Sequence, residues 1–402
     1  MKLRPEVRNI MKVLDIAKLR KNQIKPINAI LDGRDTFITA ATSFGKSLIY
    51  QIPAIIRYDT LTIVIEPLLA LMHDQVDKLQ RHGVSAAYLD STQSYLEQDD
   101  VIDALGNQSI RILYLSPERL ESGILSIAAE SNQIGMVVVD ECHCVTTWGY
   151  SFRHSYLKIG HYISGLDYHP VIVALSATAM PEDKPEIMRL LAMQNVKNFS
   201  FSLYRSNLSF MKQIASTRKE KQKLLKKYMK KFHKHTTIIF CATKRDVEAV
   251  ATYLEGLYSN DVIAYHSEKK DEEKALLSGT KHIIVATSAL SMGVDVPNVD
   301  LVIHFNMPPS LAEYYQMAGR SGREGQRARS ILLYSADDYY TNRRLLRKTT
   351  GEFTYRLALK RLDAMKEFCD DTKQCMVKSL LHTLGDAYDK NCRYCTNCQK
   401  VR

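Results

Sequence analysis

No stretch of this sequence approaches the roughly 20 consecutive apolar residues that cross a bilayer, and the opening Met-Lys-Leu-Arg-Pro-Glu-Val-Arg holds no apolar core of signal-peptide length. Those two absences argue against a helical membrane span, and no secretory leader is expected. The expected location is therefore the cytoplasm (nucleoid-associated) in a prokaryote or the nucleus in a eukaryote. Low-complexity tracts and short-period repeats are also missing, which excludes solenoids and polar disordered chains. Trp148 is the one tryptophan. The eight cysteines do not form an extracellular disulfide pattern: Cys142, Cys144, Cys241 and Cys369 are scattered, and the other four close the chain. Without a leader, that distribution favours reduced thiols and a metal site.

What is present is ordinary globular material, 45% apolar and 25% charged. A chain of 402 residues is long enough for two or three domains. The net charge of +11 points to a polyanionic partner, but it is concentrated: residues 211–235 hold ten Lys or Arg against one acid, Glu220. Leu224, Leu225, Tyr228, Met229 and Phe232 recur there at helical spacing, which predicts one amphipathic helix. That helix is either a solvated basic element beside a linker or a surface that follows phosphates, and charge alone does not decide between them.

Short apolar runs alternate with helical patterns along most of the chain. They are Thr62–Ile65, Arg111–Leu115, Met136–Val139, Val171–Leu175, Thr237–Phe240, His282–Val285 and Leu301–His304. Such runs suit strands buried on both faces of a parallel sheet. The basic stretch interrupts the series, and a boundary is expected near Arg205–Phe210. The expected domains are an α/β lobe over 1–206, a second over 207–345 and a small helical, cysteine-bearing module over 346–402.

Three segments carry chemistry. Ala40-Ala-Thr-Ser-Phe-Gly-Lys-Ser47 follows the strand-like Thr36–Thr39 and precedes a helical pattern. It is a P-loop with Ala at the first position, whose backbone N–H groups around Thr42 and Gly45 hold phosphates at a helix N-terminus. Lys46 is expected to reach the β- and γ-phosphates of ATP and Ser47 to reach Mg²⁺. Asp140-Glu-Cys-His143 ends the run Met136–Val139. A carboxylate there can hold hydrated Mg²⁺ through Asp140, and Glu141 can orient the attacking water. Gln316-Met-Ala-Gly-Arg-Ser-Gly-Arg323 projects Arg320 and Arg323 from one short segment. With Gln316 they are expected to meet the γ-phosphate from the second lobe, a contribution on the order of 10³–10⁵ in rate. Hydrolysis in a cleft between two lobes can ratchet a bound strand. Ser176-Ala-Thr178 is placed to connect the nucleotide site, through His143, to whatever the lobes grip. Finally, Cys375, Cys392, Cys395 and Cys398 form a C-x16-C-x2-C-x2-C pattern suited to a structural, tetrahedral Zn²⁺.

In this order the motifs resemble those of superfamily 2 helicases, and the intervening segments resemble the RecQ family. The resemblance runs from about Leu19 to Cys398. It is carried by Leu19-Arg-Lys-Asn-Gln23, Glu66-Pro-Leu-Leu-Ala-Leu-Met-His-Asp-Gln-Val76, Tyr114-Leu-Ser-Pro-Glu-Arg-Leu120, Cys144-Val-Thr-Thr-Trp-Gly-Tyr-Ser-Phe-Arg153, the segments Ala286–Asn298 and His304–Pro308, and the terminal cysteines. It implies two RecA-like lobes with a helical zinc-binding module and a 3′-to-5′ DNA helicase driven by ATP and Mg²⁺ in repair or recombination. It further implies that Gln23 reads adenine with support from Arg20. Trp148, Phe152 and Arg153 are implied to sense single-stranded DNA, Ser91 and Thr287 to contact its phosphates, and Gly293 and Asp295 to belong to the cleft. The implied partners are single-stranded and 3′-tailed duplex DNA together with single-stranded-DNA-binding or repair proteins, with the chain acting as a monomer and no membrane involved.

The sequence also departs from the family. Ile16 stands where an aromatic usually stacks on adenine, Ser43-Phe44 replace P-loop glycines, and Tyr265-His-Ser-Glu-Lys269 replaces Tyr-His-Ala-Gly-Leu. No winged-helix or HRDC segment follows Cys398 within the 402 residues, which bears on processivity. The readings that stay open are an RNA helicase and a nucleic-acid-stimulated ATPase or clamp that does not unwind by itself.

Overall fold

The computed structural model describes residues 3–42, 44–147, 149, 153–269, 276, 279–292 and 296–400. The chain divides into two compact units, the first of residues 1–40 and 44–201, the second of residues 202–402 together with 41–43. In the first, seven strands form one sheet among the described residues: β1 Thr36–Thr39, β2 Leu61–Ile65, β3 Ala86–Leu89, β4 Ile112–Leu115, β5 Ile134–Val139, β6 Val171–Ser176 and β7 Lys197–Ser200. Their order is β3-β4-β2-β5-β6-β1-β7, and every pairing is parallel. The apolar runs are continuous because alternate residues enter two different cores. Leu61, Ile63 and Ile65 of β2 join one, Val64 the other; Val137 and Val139 of β5 oppose Met136 and Val138 in the same way. The carboxyl ends of β1, β2, β5 and β6 are neighbours, and crossover helices cover both faces, so this edge is where a ligand meets exposed loop backbone.

The second unit holds β8 Leu208–Ile214, β9 Thr236–Phe240, β10 Val262–Tyr265, β11 Ile283–Ala286, β12 Val299–His304 and β13 Ala328–Tyr334. The order is β10-β11-β9-β12-β13-β8, again parallel throughout. The single helix expected across the basic stretch is a strand followed by a helix. Residues 211–214 complete β8, and the helix runs from Arg218 to Phe232, opened by the Thr217 side chain accepting the Glu220 N–H. Leu225 and Met229 on that helix are fully buried, with Leu224, Tyr228 and Phe232 packed beside them.

Two lysines of the stretch are buried and serve the fold. Lys221 donates to both carboxylate oxygens of Asp338, at 2.8 and 2.7 Å, and to the Phe305 carbonyl at 2.9 Å. Lys212 donates to the carbonyls of Phe368 at 3.3 Å, Cys369 at 2.5 Å and Asp371 at 2.6 Å. The latter bonds tie β8 to the end of helix Glu352–Asp370, so the cysteine-bearing helices pack within this second unit. No helix among the described residues is long and apolar enough to cross a membrane.

Candidate nucleotide site and metal centre

Between β1 and helix Lys46–Ile56 the P-loop turns through Gly45 at φ +77°, a left-handed conformation that glycine adopts without strain. A Cβ there would lie 2.7 Å from Gln23 Nε2. That nitrogen donates to the carbonyls of Phe44 and Gly45, both at 3.1 Å, while Gln23 Oε1 accepts the Arg20 N–H at 2.8 Å. Gln23 is thus buried and fully committed to bracing the P-loop. Adenine reading by the same amide requires the Phe44 and Gly45 bonds to be exchanged for bonds to the base.

Lys46 Nζ stands 3.2 Å from Glu141 Oε1, and Glu141 Oε2 stands 3.4 Å from His143 Nδ1. The same His143 nitrogen lies 3.1 Å from Ser176 Oγ, which accepts the Thr178 N–H at 3.0 Å. Residues read separately from the sequence therefore form one polar chain from the P-loop to the end of β6. Glu141 adopts φ +45°, unusual for a side chain of its size, and its N–H is held by Asp140 Oδ1 at 2.8 Å. Burial alone would raise the Glu141 carboxyl, but Lys46 and His143 outweigh it and hold it far below the carboxylate range. For Lys46, burial pulls the ammonium down and the charges of Glu141 and Asp140 more than reverse it. Asp140 moves the other way: burial, against Lys46 and with Glu141, raises it.

Sequence reasoning quoted Glu66 within a motif but assigned it no role. It ends β2 beside Asp140, 1% exposed, and its Oε1 has no hydrogen-bond partner. Burial and then the charges of Asp140 and Glu141 push it well above the carboxylate range. A buried, unpartnered carboxylate oxygen beside two further carboxylates fits a hydrated Mg²⁺, which would relieve that repulsion. Asp140 would hold the ion with the Ser47 hydroxyl, supplying charge to the phosphates of ATP.

In the second unit Gln316 lies in helix Leu311–Ala318, and Arg320 and Arg323 follow it, all three partly exposed. The loop backbone is clamped by a residue that the sequence marked only as a boundary. Arg205 donates to the Gly319 carbonyl at 3.1 Å, to Ser321 at 2.9 Å and to Gly322, and Asn207 Nδ2 donates to Gly322 and Gln326, each at 2.8 Å. Gly322 has φ +64°, and a Cβ on it would meet Asn207 Nδ2 at 2.7 Å. Arg205→Ala is expected to lower ATP turnover about 10- to 100-fold by letting the arginines drift, with ATP affinity little changed. Arg205→Lys should not rescue it, since an ammonium lacks the fork. Steady-state ATPase beside nucleotide titration checks this.

Ser91 and Arg153 line one cavity of about 850 Å³ with Pro67, Gln93, Tyr95 and Arg119. Arg153 is bidentate to Glu118, at 2.6 and 2.8 Å, and donates to the Pro67 carbonyl at 3.2 Å. Thr287 follows β11 in the second unit, its N–H bonded to the Tyr265 carbonyl at 3.3 Å. Trp148, Phe152, Gly293, Asp295 and Ser43 lie outside the described residues.

The sulfurs of Cys375, Cys392, Cys395 and Cys398 all lie within 4.8 Å of one another. The N–H groups of Cys392, Cys395 and Cys398 point at the sulfurs of Cys375, Cys392 and Cys395, at 3.3, 3.3 and 3.5 Å. Four mutually close thiols with amide donors fit a tetrahedral Zn²⁺, whose sulfur ligands sit at about 2.3 Å.

Comparison with known proteins agrees with this geometry. Residues 20–186 match the DEAD/DEAH box helicase family and 220–325 the helicase conserved C-terminal domain. The chain resembles the solved structures of Mss116p bound to ssRNA and AMP-PNP (TM-score 0.72, 16% identity, 95% of this chain and 90% of that one) and of the DUF1998 helicase MrfA bound to DNA (0.69, 21%, 85% and 53%). The fold is thus that of two RecA-like units, each matched by a helicase family model. Residues 336–399 match the RecQ zinc-binding family, and the chain is 33% identical over 393 residues to the ATP-dependent DNA helicase RecQ of Bacillus subtilis. The chain resembles the RecQ family along nearly its whole length. The alignment covers 96% of this chain and 65% of that relative.

Proposed function

We propose that this chain is an ATP-dependent 3′-to-5′ DNA helicase of the RecQ type, coupling hydrolysis to movement on single-stranded DNA during repair or recombination. The observation that carries the reading is the polar path Lys46–Glu141–His143–Ser176, whose Glu141–His143 step is a 3.4 Å approach. It connects the phosphate-binding lysine to the strand end from which a bound nucleic acid is sensed. Lys46 and Ser47 hold the phosphates and Mg²⁺, Asp140 holds the ion, Glu141 orients water, and Arg320 and Arg323 meet the developing charge. Ser91, Arg153 and Thr287 take DNA phosphates, with Trp148 and Phe152 stacking on bases. The chain works as a monomer on 3′-tailed duplexes alongside single-stranded-DNA-binding or repair proteins. Its thiolate zinc site suits a reducing compartment, the cytoplasm or the nucleus.

The deciding experiment is unwinding of a labelled duplex bearing a 3′ or a 5′ tail, with ATP and Mg²⁺, beside Lys46→Ala. The expected result is separation of the 3′-tailed substrate alone, lost in the variant. Equal ATPase stimulation by matched RNA, without DNA unwinding, would overturn the DNA assignment.

A further inference from the structure

Ten cations fall between residues 211 and 235, and the structure divides them sharply. Lys212 and Lys221 are buried in the fold, and Arg218 pairs with Asp246 at 2.7 Å. The other seven, Lys219, Lys223, Lys226, Lys227, Lys230, Lys231 and Lys234, are all exposed, and none is ion-paired among the described residues. Lys219, Lys223, Lys227, Lys230 and Lys234 succeed one another every three or four positions, so they form a single stripe along the helix and its end. The nearby acid Glu220 is turned away, accepting the Ser216 N–H at 2.6 Å. At the helix end the stripe reaches a groove of about 690 Å³ lined by Phe232, Asn207, Tyr394, Arg327 and Arg329, with Asp300 there paired to His235 at 2.8 Å. Arg329 and Lys231 both lie over the Phe232 ring, at 5.4 and 5.8 Å.

We propose that this lysine stripe, with Arg327 and Arg329, is a docking surface for the phosphate backbone of double-stranded nucleic acid. It rests on the reading of the chain as a nucleic-acid motor, to which it adds a second contact. Three observations select a duplex. Seven like charges along a helix of about 22 Å repel one another unless a polyanion covers them. Among the described residues the helix itself offers no exposed Phe, Tyr or Trp: Tyr228 is packed into the core, Phe232 lies beneath two cations, and the rings at its end are engaged, His233 on Tyr258, His235 with Asp300 and Tyr394 with Tyr204. Single-strand surfaces combine cations with stacking platforms, whereas a duplex, its bases already stacked, asks only for phosphate contacts. A lipid surface is disfavoured because the apolar side of the helix is already packed into the core, leaving nothing to insert. The helix packs on the face of the second sheet that carries Ile239, Leu301 and Ile331, whereas Met317, on the helix before Arg320, packs on the opposite face. The stripe is therefore separate from the arginine motif.

The test uses the full chain with Lys223→Gln, Lys227→Gln, Lys230→Gln and Lys234→Gln combined, and a blunt DNA duplex titrated across salt. The slope of log K against log salt should flatten by about 2 to 4, at roughly 0.9 per lost phosphate contact, and duplex affinity at low salt should fall at least about tenfold. ATP hydrolysis at saturating short single-stranded DNA should stay within about twofold of the parent, and Arg at the same four positions should keep the parental slope. An unchanged duplex slope overturns the proposal, as does an equal loss of single-strand and duplex affinity. Loss of binding to acidic vesicles with duplex binding intact would assign the stripe to lipid and also overturn it. A parent chain whose ATPase ignores nucleic acid would instead sink the motor reading, and the slope comparison would still report on the stripe.

Discussion

Glu141→Gln is expected to bind ATP as well as the parent or better while hydrolysing it about 10²- to 10⁴-fold more slowly, the range for loss of a positioned acid–base group. The two halves of that prediction come from the same 3.2 Å contact. With Lys46 paired to Glu141, the ammonium must leave the carboxylate before it can reach a phosphate. Gln removes the competing charge and leaves the shape, so the lysine is easier to recruit. Hydrolysis should fall because Gln cannot accept a proton from water and lacks the carboxylate, held low by Lys46 and His143, whose charge is proposed to orient it. Nucleotide titration and single-turnover hydrolysis on the same preparation separate the two effects. Turnover equal to the parent removes Glu141 from the chemistry. Lost ATP binding would mean that Glu141 serves to position Lys46, and the assignment of roles would reverse.

The strands that were legible in the sequence are those with both faces buried, such as Ile134–Val139, where every residue from Met136 on is apolar. Ala86–Leu89, Val262–Tyr265 and Ala328–Tyr334 were not named from the sequence, although Val262–Tyr265 is buried throughout, and for two further strands the reason is physical. Lys197–Ser200 is an exposed edge strand with little apolar content, and Leu208–Ile214 places Lys212 at a buried position. A lysine is expected outside, and only three backbone carbonyls from a distant helix end make that site tolerable. The same division runs through the candidate site. Lys46, Asp140, Glu141, His143 and Ser176 were readable because each lies in a short motif at a strand end. Arg205 and Asn207 act on the carbonyls of a loop more than a hundred residues away in the chain, and no local pattern encodes that. Glu66 was visible as a letter, but its significance lies in its neighbours across the sheet, which only the strand order supplies.

Removing zinc is expected to unfold the second unit selectively. The segment from Asp371 to Lys400 holds two short helices, Met376–Thr383 with Cys375 at its N-cap and Thr396–Lys400 with Cys398 inside it, and the turns between them that carry Cys392 and Cys395. Its core is Met376, Val377, Leu380, Leu381 and Leu384 with Cys375, Cys392 and Cys395, too small to stand without the metal. Structural zinc contributes on the order of 10 kcal/mol or more to such modules. The effect does not stop at the module. Thr396 Oγ1 accepts the Lys212 N–H at 2.7 Å, and the carbonyls that hold the buried Lys212 ammonium include that of Asp371, at the module's start. Release of the segment therefore strands a buried charge beneath β8, a penalty of several kcal/mol. Treatment with a strong chelator, or Cys395→Ser, should release one zinc per chain to a colorimetric dye. It should also lower the melting of the second unit by more than about 10 °C, at roughly 2–4 °C per kcal/mol for a body of this size. ATP binding by the first unit should survive, because Gln23, Gly45, Lys46 and Glu141 form their contacts within that unit. Unchanged melting after the metal has left would show that the thiols hold zinc for some purpose other than folding.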